Sequence, residues 1–79
     1  MSILEALRVR NPGHRIDVEE EFDTFREHYT YYLRVDDHRT HILYTRDDLV
    51  RHLMHQRSGR LLYSALQAHV ERTLGIRLE

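Results

Sequence analysis

Asp48, His52 and His55 lie at i, i+4 and i+7, a spacing at which three side chains could hold a metal ion. On a helix advancing 100° per residue they fall within about 60° of one another, so nitrogen and oxygen ligands would line one face. His38 and His41, three apart, could complete the shell. The pattern has no cysteine and no fixed glutamate, and a chain with seven histidines in 79 residues produces such spacing by chance. A solvated helix face, with no metal and no cofactor, is the expected reading; an ion on Asp48, His52 and His55 is the alternative. His69 falls near the middle of a broad apolar arc, where a histidine is expected to bond a main-chain carbonyl or a tyrosine. A pH-sensitive contact at an interface is the other role open to it.

The charged residues suggest two partner chemistries. Residues 1–37 carry nine acidic side chains against five arginines, and residues 38–79 carry seven arginines against four acids. Such an imbalance suits a charged partner or a second copy of the chain, with carboxylates gathered on one flank and guanidinium groups on another. The acidic run Glu19, Glu20, Glu21, Asp23 and Glu27, with Tyr32 beside it, is the candidate protein-contact surface; it could mimic a nucleic-acid backbone. Arg46, Arg51, Arg57 and Arg60 surround the junction of two expected helices, loosely in the manner of a helix-turn-helix, and form the nucleic-acid alternative. A net charge of −1 argues against that alternative, because binders of phosphate backbones carry a positive excess. Every Lys-or-Arg position is arginine; GC-rich codon usage explains this, and so would recognition of carboxylate or phosphate by arginine's planar fork.

Catalysis finds little support. There is no glycine-rich phosphate loop, no serine in a nucleophile elbow and no cysteine. Asp36-Asp37 reads as turn chemistry and Asp47-Asp48 as charge at a helix N-terminus. A non-enzyme that regulates or inhibits through protein contacts is expected, with no small-molecule substrate. Small arginine-only chains of this kind are plausible products of bacterial or phage accessory genomes.

These residues must be positioned by a chain of 79 residues, enough for one domain near the lower limit of independent folding. Without cysteine, no disulfide contributes. The opening Met-Ser-Ile-Leu-Glu-Ala-Leu-Arg is too short in apolar residues for a signal peptide, and no run approaches the roughly 20 needed to span a bilayer, so a cytoplasmic protein is expected.

Ser2 and Glu5 have capping-box spacing, predicting a helix from Ile3 to about Val9 that Asn11-Pro12-Gly13 stops. Asp17 with Glu20 repeats that spacing. Val18, Phe22, Phe25 and Tyr29 share one helical face, so a helix from Val18 to about His28 is expected in preference to a strand beginning at Ile16. Tyr29, Tyr31, Leu33 and Val35 alternate with Thr30, Tyr32 and Arg34 as in a strand. Asp36 to Arg39 reads as a four-residue loop, since no glycine is present to suit a tight two-residue turn, and Thr40 to Tyr44 is the return strand.

Thr45 and Asp48 then cap a helix carrying Leu49, Val50, Leu53 and Met54 and ending near Gln56. Ser58 caps a last helix from Gly59 to Leu74, closed by Gly75, with Ile76 to Leu78 as an apolar tail that could be a strand. That last helix has an apolar arc too wide for one-sided packing, so it is expected either at the centre of the fold or partly at an interface. The fold expected is α+β over residues 1–79: a central antiparallel β-hairpin, an N-terminal helical region and two C-terminal helices. Unpaired hairpin edges make a homodimer the expected state.

Overall fold

The computed structural model describes residues 2–43, 47, 49–55 and 60–79, without the side chains of His52, His55, Arg60 and Leu61. The chain is α+β. Helix α1 (Ile3–Arg10) leads into three strands, β1 (Ile16–Asp23), β2 (His28–Val35) and β3 (His38–Ile42), followed by a short π-wound helix α2 (Leu49–His55) and helix α3 (Arg60–Leu74). The strands form one antiparallel sheet in the order β1-β2-β3. No described helix is long and apolar enough to cross a membrane.

Helix α1 starts as its residues dictate. Ser2 Oγ accepts the Glu5 N–H at 3.1 Å, an acid sits in the first turn and arginines in the last. Two turns are marginal alone, and α1 gains its stability by burying Ile3, Leu4 and Leu7. Asn11 ends it, donating its N–H to Leu7 O at 3.0 Å.

The expected helix over residues 18–28 is a strand and a turn. In β1, Ile16, Val18, Glu20 and Phe22 face the helices' side of the sheet, while Asp17, Glu19, Glu21 and Asp23 face the other, where an arginine meets each of them. Only Glu20 interrupts the apolar alternation, and it is exposed, with no described helix covering it, so its charge stays hydrated at little cost. The expected hairpin is thus a three-stranded sheet. Asp23 Oδ1 accepts the N–H groups of Phe25 and Arg26 at 2.9 and 3.2 Å, which closes the β1–β2 turn, and Glu27 leaves it at φ 53°.

The β2–β3 connection has two residues, not the four expected, and Asp36 takes the left-handed conformation (φ 56°) in place of glycine. A short polar side chain tolerates that conformation when it bonds locally. Here Asp36 Oδ1 accepts the Arg15 N–H at 2.9 Å, Oδ2 accepts His14 Nδ1–H at 2.7 Å, and the Asp36 N–H reaches Arg15 O at 2.8 Å. Strand β3 accordingly starts at His38, two residues before the expected Thr40, and ends at Ile42.

The core is built from Ile16, Tyr31, Leu33, Val35 and Ile42 of the sheet, the α1 stripe, Leu49 and Leu53 of α2, and Tyr63, Leu66 and Val70 of α3. Helix α3 packs on one side only: its buried stripe advances by three and four residues, while Ala65 and Ala68 are exposed. Gly75, at φ 69°, closes the helix with its N–H on Glu71 O at 3.0 Å. The tail forms no strand; Leu78 is buried, and the Asn11 side chain binds Glu79 at both main-chain groups, accepting its N–H at 2.8 Å and donating to its oxygen at 3.1 Å. Tyr63 Oη–H donates to the same oxygen.

Candidate functional site

Hydrogen-bond phase determines which strand groups can meet a partner. The Asp36 N–H to Arg15 O bond marks residues 15 and 36 as a bonded pair, so by antiparallel alternation Asp17, Glu19, Glu21 and Asp23 direct their main-chain groups toward β2. Val18, Glu20 and Phe22 direct theirs outward. Ile16, in the same phase, shows it: its outward carbonyl accepts Arg8 Nε–H at 2.7 Å. On the opposite edge the two-residue turn pairs Val35 with His38, so Arg39 and His41 point outward.

The β3 edge is partly closed by α3. His69 Nε2–H donates to His41 O at 3.0 Å and lies 2.9 Å from Thr40 Oγ1, while Arg72 Nη2 donates to Nδ1 at 3.3 Å. With a guanidinium on Nδ1 and a carbonyl on Nε2, Nδ1 accepts and Nε2 donates in this geometry. His69 thus bonds a main-chain carbonyl, as its position in the sequence suggested, and does so at the sheet edge.

The outer face of the sheet is a lattice of interleaved signs rather than separated flanks. Arg34 binds Glu19; Arg39 reaches Glu19 at 3.4 Å and Glu21 at 3.2 Å; Arg8 binds Asp17 at 2.9 Å. The Arg39 guanidinium also lies 4.0 Å over the Tyr32 ring, whose other neighbour is His41 with ring centroids 5.6 Å apart. The Arg34 hydrogen bond holds the Glu19 carboxyl below its ordinary range, and Glu19 in turn raises Arg34. The N–H groups of Arg26 and Phe25 lower Asp23, and the His14 bond followed by the Arg15 N–H lowers Asp36. Among the residues expected to contact a protein, Glu19, Glu21, Asp23 and Tyr32 therefore already have intramolecular partners. Glu20 and Glu27 are exposed and make no ion pair among the described residues.

The feature missed by sequence reasoning is aromatic. Phe22, Phe25 and Tyr29 share one face of the helix expected over residues 18–28; in the structure they are 50%, 98% and 44% exposed at the turn end of the β1–β2 hairpin. Phe22 and Tyr29 are cross-strand partners with ring centroids 5.0 Å apart, and Tyr29 stacks on Tyr31 at 6.4 Å, so the aromatic row runs from the core to solvent. Leu43, just beyond β3, adds a further exposed apolar side chain. A hairpin register would have revealed this row, because Phe22, Tyr29 and Tyr31 then share a face.

The other candidate sites are less informative. Arg46, Arg57, Asp48 and the side chains of Arg60, His52 and His55 lie outside the described residues; Arg51 is exposed on α2. Among the described residues no three His, Cys, Asp or Glu side chains form a metal-binding group. His38 and His41 fall on opposite faces of β3. No protein-family model, curated protein or solved structure matches this chain.

Proposed function

We propose that the chain is a non-enzymatic regulatory protein that binds another protein through the uncovered end of its sheet. The observation carrying this reading is the exposed aromatic end of the β1–β2 hairpin, where Phe22 of the row is half exposed beside an open strand edge and Phe25 in the turn is 98% exposed. Contiguous exposed aromatic surface is costly to leave in water and is enriched where partners bind. The acidic side chains beside it supply orientation: Glu20 and Glu27 rim the patch, while Glu19 and Glu21 are held in their arginine lattice. Regulation then consists of occupying a surface on the partner, with no bond made or broken.

Affinity capture from the native host tests this with two baits, the natural chain and a Phe22→Ser/Phe25→Ser variant. Truncating a hot-spot aromatic costs about 2 kcal/mol, or roughly 30-fold in affinity, so a protein retained by the natural chain is expected to be lost from the variant. Equal recovery on both baits contradicts the reading. Recovery of nucleic acid that nuclease removes would instead favour the arginine-based alternative, in which Arg46, Arg51, Arg57 and Arg60 contact phosphate.

A further inference from the structure

We infer that the outer edge of β1 is a strand-addition site for an extended partner segment in which basic and apolar residues alternate. This rests on the protein-contact reading and names the partner chemistry at the same end of the molecule. Strand β1 has no neighbour beyond it among the described residues, and its outward main-chain groups belong to Val18, Glu20 and Phe22. The Arg8 bond to Ile16 O closes the edge at one end, and the hairpin turn bounds it at the other. A guest strand therefore lies along residues 18–22, extending β2 and β3 into a larger sheet.

The side chains of β1 select the guest. On one face Asp17, Glu19, Glu21 and Asp23 form a column of four carboxylates on the edge strand, each with an arginine partner, of which Arg34 and Arg39 lie inward on β2 and β3, and Glu19 and Asp23 are held ionised by their neighbours. Alternate residues of the guest lie beside that column, where arginine or lysine is favoured and acid is repelled. The guest's other residues fall beside Val18 and Phe22, where apolar side chains cover exposed ring, with Glu20 remaining at the rim. Charge also argues against a second copy as the guest. A two-fold axis through Glu20 would set Glu20 against its counterpart and Glu19 against the copy of Glu21, with like charges directly opposed. The β3 edge is the poorer host, since His69 already occupies the His41 carbonyl.

The probe is a fluorescein-labelled, terminally blocked decapeptide alternating valine and arginine, titrated with the full chain and read by fluorescence anisotropy. Saturable binding is expected, weakening as salt is raised. Replacing arginine by glutamate, or N-methylating alternate residues to remove donors from one edge, should each weaken it by roughly tenfold or more. In the protein, Glu20→Pro removes an outward N–H that β2 does not use, so binding should fall by a similar factor while circular dichroism stays unchanged. Equal binding of the N-methylated or glutamate peptide overturns the proposal, as does a folded Glu20→Pro chain that binds normally. Should Glu20→Pro unfold, the N-methylated peptide still decides. Absence of binding by every peptide also overturns strand addition. If host capture still depends on Phe22 and Phe25 in that case, the contact reading survives without it.

Discussion

The two ends of the sheet use the same strands and the same alternation, yet one is core and the other is surface. At the C-terminal end of β2, Leu33 and Val35 belong to the core that the sheet shares with α1, α2 and α3 and are almost completely shielded. Four to six residues away along the same strands, Phe22 and Tyr29 point to the same side and meet solvent. The difference is not hydrophobicity, since Phe22 is as apolar as Leu33. It is coverage: among the described residues, the helices bury one half of the inner face and leave the other half, beside the β1 edge, exposed.

If that contrast is right, substitutions at the two ends must separate stability from binding. The largest effect is expected from Leu33→Ala, where loss of a buried side chain and the resulting cavity should cost about 2–5 kcal/mol, read by urea or thermal unfolding. A small domain can lose most of its stability to such a change. A cost below about 1 kcal/mol would mean that the covered end is not the core. Next comes Asn11→Ala at the edge of that core. The side chain is buried and serves Leu7 O and both main-chain groups of Glu79, so its removal deletes three hydrogen bonds, takes the partner from the Glu79 N–H and should cost about 1–3 kcal/mol in the same assay.

A pH-dependent effect sharpens the comparison further. The Asp36 carboxyl is lowered in the folded chain from 3.8, chiefly by its bond to His14 and then by the Arg15 N–H. A lowered carboxyl stabilises the fold above its unfolded value and loses that contribution as pH falls through the folded value. Asp36→Asn should therefore be less stable than the natural chain at neutral pH, and the gap should close below about pH 3.8, where the natural side chain also becomes protonated. A constant gap across an acid titration followed by circular dichroism would show that Asp36 acts only through its backbone conformation. The smallest change in stability is expected at the bare end: Phe25→Ser should stay within about 0.5 kcal/mol of the natural chain, because its side chain packs on little. A large destabilisation there would erase the distinction between the ends.

What could be read from the residues alone follows the range of the interactions. Ser2 with Glu5, the alternation of β2 and Gly75 after α3 are local signals, and each appears in the fold. Strand β1 was hidden because Val18, Phe22, Phe25 and Tyr29 satisfy a helical period, while Glu20 breaks the strand period at a place where only the tertiary arrangement, by leaving it exposed, makes a charge harmless. The acidic run looked like a free face because the arginines that meet Glu19 and Glu21 come from other strands, 15 to 20 residues away in sequence. The tight turn at Asp36 was equally non-local, since its left-handed conformation is supported by His14 and Arg15. For the same reason the aromatic row at the hairpin end emerged only with the register.

Residue-resolved amide hydrogen exchange along β1, measured by NMR on the free chain, tests most directly whether this strand ends the sheet with an open edge. Slow exchange is expected at Asp17, Glu19, Glu21 and Asp23, whose N–H groups face β2, and fast exchange at Val18, Glu20 and Phe22, whose N–H groups face outward. Uniform protection across residues 17–23 would contradict it, showing either a helix in place of the strand or an edge that is already paired.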